Sequence, residues 1–289
     1  MSAQKDRLYK DVEFLTKIRP YRNSRNLKSL QKVSNYILEE FSRSGLEVEE
    51  QKWKVKKKEF TNVVASFNKE KSKRLIVGAH YDVAGRTPGA DDNASAVAGL
   101  LETARMIQEN KPEIDYRIDF VAYCLEEPPH FGKQEMGSFV HAKSLWAINA
   151  DVIGMFCYEM IGYFSKQGIL DKHKREVSEL AKDYPDNGEY IVVVGNEDYP
   201  DFNEKIYKLM AEGSGIDVQL ANLPVYNRWV GMSDHRNYWK FSYPALMIND
   251  TAFLRNPHYH KKSDTIDTLN FDKMTEVVNS AYRAVINMA

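Results

Sequence analysis

Glu126 and Glu127 stand side by side at the end of the buried-looking run from Arg117 to Leu125, where a parallel strand would open into a loop. Neighbouring carboxylates can divide a hydrolytic task, one holding a metal ion while the other takes the proton from an activated water. Two other runs end in metal-competent groups in the same way. Arg74 to Ala79 delivers His80, and Val152 to Tyr158 delivers Glu159. Between the first two, the loop Gly89-Ala-Asp-Asp-Asn-Ala-Ser95 places Asp91 and Asp92 just before a helical pattern, and Asn256 to Thr265 supplies His258 and His260. Imidazoles and carboxylates without thiolates suit zinc in a hydrolytic site, with cobalt or manganese as substitutes.

Each of these residues also has a plainer reading. A single histidine after a strand is commonly a satisfied polar residue, and His130, His141 and His173 are read that way. Asp91 or Asp92 could cap the following helix. Cys124 and Cys157, the only cysteines, lie in apolar runs and read as buried free thiols. Two cysteines make no disulfide framework in a chain this long.

The elements that must position these groups follow from periodicity. Helical spacing covers residues 6–18 and runs from an Asn26 cap to Gly45, a glycine stop. The period then changes. Residues 46–55, 61–67 and 74–79 read as strands, 93–110 as a helix and 117–125 as a strand. Residues 152–158, 190–194 and 244–248 add strands; 168–182, 201–212, 234–240 and 271–288 read as helices. Strand, helix, strand order predicts parallel pairing, hence a three-layer α/β/α architecture with a mixed, mainly parallel central sheet. Lysines from Trp53 to Lys58 read as solvated charges on an edge strand. With no internal repeat or linker, residues 1–289 are read as one domain.

Composition narrows the classes of function. The chain has 289 residues, 43% of them hydrophobic, so it can bury a large core. Forty basic against 41 acidic side chains leave a net charge of −1, which offers no electrostatic case for nucleic acid or an anionic membrane. No run of about 18 apolar residues predicts a membrane span. A cytoplasmic location is the expectation, unless a leader has been removed.

Six segments in order, Gly78 to Asp82, Gly89 to Ser95, Leu125 to Pro128, Tyr158 to Gly162, Ser233-Asp-His235 and Tyr259 to Thr265, resemble the M28 family of zinc exopeptidases. The likeness extends over nearly the whole chain, including Gly45-Leu-Glu-Val-Glu, Thr61-Asn-Val-Val-Ala and Gly137-Ser138. The resemblance implies the zinc-exopeptidase fold and two Zn2+ ions per chain. One ion would take His80, Asp92 and Glu159; the other would take Asp92, Glu127 and His260, with Asp92 bridging. Glu126 is then the general base, and Tyr259 resembles a tyrosine that donates to the developing oxyanion. A cis peptide is implied between Asp92 and Asn93. Asp82 is expected to accept the second imidazole N–H of His80, and Asp264 to support the loop of the second histidine. Asp234 and His235 match a family motif without being read as ligands.

The pattern departs from the family at Glu159, where aspartate is common, and His258 competes with His260 for the ligand role. The implied activity is removal of N-terminal residues from peptides, with carboxypeptidase and dipeptidase as alternatives. A glutaminyl cyclase is disfavoured, since those relatives use one zinc. A non-catalytic binding scaffold of the same fold would have no need of these ligand types. Loops 128–134 and 220–231, with His130, Phe131, Tyr226, Arg228 and Trp229, are candidates to line the substrate pocket; Arg228 could hold a substrate carboxylate. Peptide is the expected partner, and the oligomeric state is not legible.

Overall fold

A strand can be apolar at successive positions only if both its faces are covered, and that is where the continuous apolar runs lie. In the computed structural model, which describes residues 2–170, 173, 182 and 184–288, the strands are β1 (Glu47–Val55), β2 (Lys58–Phe67), β3 (Lys73–His80), β4 (Arg117–Tyr123), β5 (Asp151–Glu159), β6 (Tyr190–Asn196), β7 (Asp217–Leu223) and β8 (Ala245–Asn249). They form one eight-stranded sheet in the order β1-β2-β4-β3-β5-β8-β6-β7. The middle four, β4, β3, β5 and β8, are mutually parallel; β1, β2 and β6 join through antiparallel pairings, and β7 runs parallel to β6. The carboxyl ends of β3, β4 and β5 therefore open onto the same edge, where ligands gather in open α/β sheets.

The helices are α1 (Lys5–Thr16), α2 (Leu27–Arg43), α3 (Ala96–Asn110), α4 (Gly137–Ala147), α5 (Pro200–Ala211), the single turn α6 (Arg236–Trp239) and α7 (Phe271–Ile286). Leu8, Val33, Leu100, Ile206 and Val278 from α1, α2, α3, α5 and α7 pack with Val77, Phe120 and Phe156 on one face of the sheet. Ala142, Leu145 and Tyr238 from α4 and α6 pack with Ile76, Val121 and Met155 on the other. Three layers result, as the sequence predicts. The larger aliphatic and phenylalanine side chains among them contribute about 1.5–3 kcal/mol each when fully buried. Among the described residues no helix is long and apolar enough to cross a membrane.

Several details differ from expectation. Helix α4 was not anticipated, because Phe139, Val140, Leu145 and Trp146 do not fall on one helical stripe. Strand β7 occupies part of a segment read as loop; as an edge strand it is only half covered and weakly patterned. The helix expected over residues 234–240 is a single turn. The helix expected over residues 168–182 falls for the most part outside the described residues. The expected helix from residue 93 begins at Ala96, after a wide turn at Ala90–Ser95 that contains the cis Asp92–Asn93 peptide.

Strand β4 ends two residues earlier than its apolar run because Cys124 pairs elsewhere. Its N–H donates to Asn62 Oδ1 (3.1 Å), and its carbonyl accepts from Gly137 N–H (2.7 Å). Asn62 Nδ2 in turn donates to the Gly137 carbonyl (2.8 Å). This knot turns the chain toward Glu126 through Leu125, which sits at φ 67. Only glycine fits at 137: a Cβ there would lie 2.1 Å from Asn62 Oδ1 and 2.7 Å from the Cys124 carbonyl oxygen. Gly137→Ala is therefore expected to destabilise the fold by about 1–3 kcal/mol, read as a lower urea midpoint; an unchanged midpoint would contradict this packing.

Candidate metal centre

His80, the last residue of β3, and Glu159, the last of β5, reach the same edge, and the Ala90–Ser95 turn brings Asp92 between them and His260. His80 Nε2 lies 3.5 Å from Asp92 Oδ1 and 3.3 Å from Glu159 Oε2. On the other side of the same carboxylate, His260 Nε2 is 3.1 Å from Asp92 Oδ2 and 3.2 Å from Glu127 Oε2. The two triads thus join through Asp92, one oxygen to each. In each triad the ligand atoms lie within 4.8 Å of one another. Ligands placed tetrahedrally about 2.1 Å from a zinc ion are about 3.4 Å apart, so these spacings fit such an ion. Glu127 Oε1 is buried without a hydrogen-bond partner, a further sign of fit.

His258 does not join this group; its Nδ1 meets Ser263 Oγ at 3.0 Å. Glu126 belongs to neither triad but is buried beside them, its Oε2 3.8 Å from His80 Nε2. Tyr259 stacks on the His260 ring, centroids 3.8 Å apart.

The electrostatics follow from collecting these carboxylates away from water. Burial holds Glu126 well above the usual carboxylate pKa, against the pull of His80 and with the push of Glu159 and Glu127. Burial and then Asp92 raise Glu127 to about 7. Burial opposes charge on the histidines, yet Glu159 and Glu126 hold His80 well above its ordinary value, and Asp92 and Glu127 hold His260 at about 10. A field that stabilises positive charge at both imidazoles suits a bound cation.

Backbone clamps aim the acids. Both oxygens of Asp82 accept the successive N–H groups of Glu126 (3.1 Å) and Glu127 (3.2 Å). Asp264 does the same for Asp91 (2.8 Å) and Asp92 (3.2 Å). Both roles differ from expectation. His80 Nδ1 is closer to the Asp82 carbonyl, at 3.2 Å, than to its carboxylate, at 3.6 Å, and Asp264 grips the aspartate turn rather than the histidine loop. Asp91 caps no helix. Its carboxylate accepts from Gly162 N–H, Ser95 Oγ and Asn256 Nδ2.

Glu159 is fixed by residues the sequence reading missed as partners. Asn249 Nδ2 donates to its carbonyl at 2.6 Å, Asn93 Oδ1 accepts from Met160 N–H at 2.9 Å, and Ser233 Oγ donates to Glu159 Oε2 at 2.6 Å. The last contact holds the longer side chain in place. Asn93 and Ser233 lie in segments singled out in the sequence, and Asn249 follows the strand expected over residues 244–248, but none of the three signalled this contact. Asp234 is buried nearby and raised to about 7 by burial. Cys124 and Cys157 are buried free thiols.

An apolar cavity opens beside Glu159 and Tyr259, walled by Trp229, Met232, Met247, Phe253 and Leu254. Of the loop residues singled out, Trp229 lines it. Arg228 stacks on Trp229 at 4.1 Å, and Tyr226 is 87% exposed. His130 bonds Glu135 at 2.7 Å, and Phe131 lies under Arg236.

A three-layer α/β/α fold with two histidine–carboxylate triads sharing one aspartate defines a class, the metal-dependent hydrolases. The chain belongs to peptidase family M28, whose model matches residues 62–285. The family is metal-dependent, typically through zinc. The protein YfbL of Escherichia coli (strain K12) is 38% identical over 294 residues, covering 99% of this chain and 88% of its own length. Leucine aminopeptidase 1 of Arthroderma otae is 27% identical, and the match spans 74% of this chain but 54% of that protein. Among solved structures, the LapA aminopeptidase of Legionella pneumophila superposes with a TM-score of 0.77 at 21% identity, covering 98% of this chain and 72% of that one. A glutaminyl cyclase of Bacteroides thetaiotaomicron gives 0.72 at 20% identity, covering 99% of each chain. At these identities the structures share the fold.

Losing a carboxylate clamp should loosen the ligand it aims. Asp264→Asn sets an amide against two N–H donors and is expected to lower zinc affinity about 10–100-fold in a chelator competition, the usual cost of losing a residue that orients a ligand. Wild-type affinity in this variant would contradict the clamp.

Proposed function

We propose that the protein is a two-zinc aminopeptidase that removes apolar N-terminal residues from peptides. The observation that carries this reading is the division of Asp92 between two triads while Glu126 stays outside both. His80, Asp92 and Glu159 would hold one ion, and Asp92, Glu127 and His260 the other. Bound there, zinc supplies Lewis acidity, polarising the scissile carbonyl and acidifying a water.

The protein's own groups then do the proton work. Glu126, its pKa raised by burial, accepts a proton from the attacking water and returns it to the leaving amine as the peptide bond breaks. The Tyr259 hydroxyl, held neutral by burial and the surrounding carboxylates, donates to the developing oxyanion. The cavity walled by Trp229, Met232, Met247 and Phe253 excludes water and receives the side chain of the N-terminal residue. The names of the leucine aminopeptidase relatives agree with such a preference.

Glu126→Gln is expected to keep its zinc, by metal analysis, while kcat falls about 10²–10⁴-fold, the usual range for a general base. Near-normal turnover would remove Glu126 from this role. Zinc-loaded protein should release the first residue of Leu-, Met- and Phe-initiated peptides and leave N-acetylated ones intact. Cleavage of N-blocked peptides from the carboxyl end would make the protein a carboxypeptidase. Cyclisation of a Gln-initiated peptide would move it to the reaction of its glutaminyl cyclase structural neighbour.

A further inference from the structure

Arg22 lies in the link between α1 and α2, far in sequence from every candidate ligand, and its side chain is among the largest that are fully buried. Its Nε donates to the Tyr81 carbonyl at 2.9 Å, one terminal nitrogen donates to Leu15 (3.1 Å) and Pro88 (2.6 Å), and the other donates to Gly89 at 2.7 Å. Its own carbonyl accepts from Val83 N–H at 3.0 Å. None of these hydrogen-bond partners is a carboxylate; every one is a backbone carbonyl. A bare brace between loops does not need a cation, whose burial costs several kcal/mol.

The placement explains the choice of residue. Tyr81 follows His80, and Gly89 precedes Asp91 and Asp92, so the guanidinium spans the two backbone arms that deliver His80 and Asp92 to one triad. Gly89 sits at φ 64 and comes so close that a Cβ there would lie 3.0 Å from the guanidinium. Asp264, Asp92, Asp82 and Glu127 surround the charge at longer range; burial lowers its pKa to about 10, and these acids oppose the fall. A planar fork with five donors can make all four of these bonds; an ammonium, with three donors at a single point, cannot.

We infer that Arg22 is a positioning residue, which sets the spacing between the His80 and Asp92 arms of the metal site. This rests on the zinc reading above. Its test is zinc binding by chelator competition, with the visible spectrum of the cobalt form, in Arg22→Lys, Arg22→Met and Val285→Ala. Val285 is a buried core residue of α7 and serves as a control for general destabilisation. Both Arg22 variants are expected to lose zinc affinity at least tenfold and to change the cobalt spectrum. Val285→Ala should lower the unfolding midpoint without either change. A folded Arg22→Lys protein with wild-type affinity and spectrum would overturn the inference, as would an equal affinity loss in Val285→Ala. If the wild-type chain binds no zinc, both this inference and the reading beneath it fail.

Discussion

Like charges kept out of water are the constraint around which this molecule is built. Asp82, Asp92, Glu126, Glu127, Glu159 and Asp264 are all buried at one edge of the sheet, where each charge costs several kcal/mol unless it is paired or hydrogen-bonded. The protein meets this cost with backbone. Two of the acids spend their oxygens on the amides of the other pairs, Asp82 on Glu126 and Glu127, and Asp264 on Asp91 and Asp92. Asn93, Asn249 and Ser233 close around Glu159. What remains of the negative field falls on His80 and His260 and on the space between them, so the cluster of acids favours a positive charge there.

That constraint links fold to chemistry. Parallel strands β3, β4 and β5 deliver their last residues to a common edge, and the Ala90–Ser95 turn inserts Asp92 so that its two oxygens face opposite ways. Glu126 lies one residue from a member of the second triad yet outside it, because Leu125 takes a left-handed conformation and Asp82 holds both following amides. Two carboxylates that are neighbours in sequence are thereby aimed at different positions.

The strand ends were legible because residues on buried parallel strands are mainly apolar, with charged exceptions near the strand starts such as Arg117 and Asp119 of β4, so the polar residues beyond each run mark candidate site positions. His80, the glutamate pair and Glu159 all emerged that way, and the order of motifs supplied Asp92 and His260. Other features carry no local signal. Asp82 and Asp264 are expected from the resemblance to serve the histidines, and nothing local reveals their actual partners, 44 and 173 residues away. Arg22 is one of many basic residues in a polar stretch, and nothing nearby reveals that it is buried. Helix α4 lacks a stripe, and edge strand β7 is half exposed. Pairings across long sequence distances account for most of what was missed.

The most direct test is anomalous diffraction at the zinc absorption edge from crystals of the zinc-loaded protein. Two peaks about 3.5–4 Å apart, one among His80, Asp92 and Glu159 and the other among Asp92, Glu127 and His260, are the predicted result. A single peak, or peaks that do not share Asp92, would contradict it.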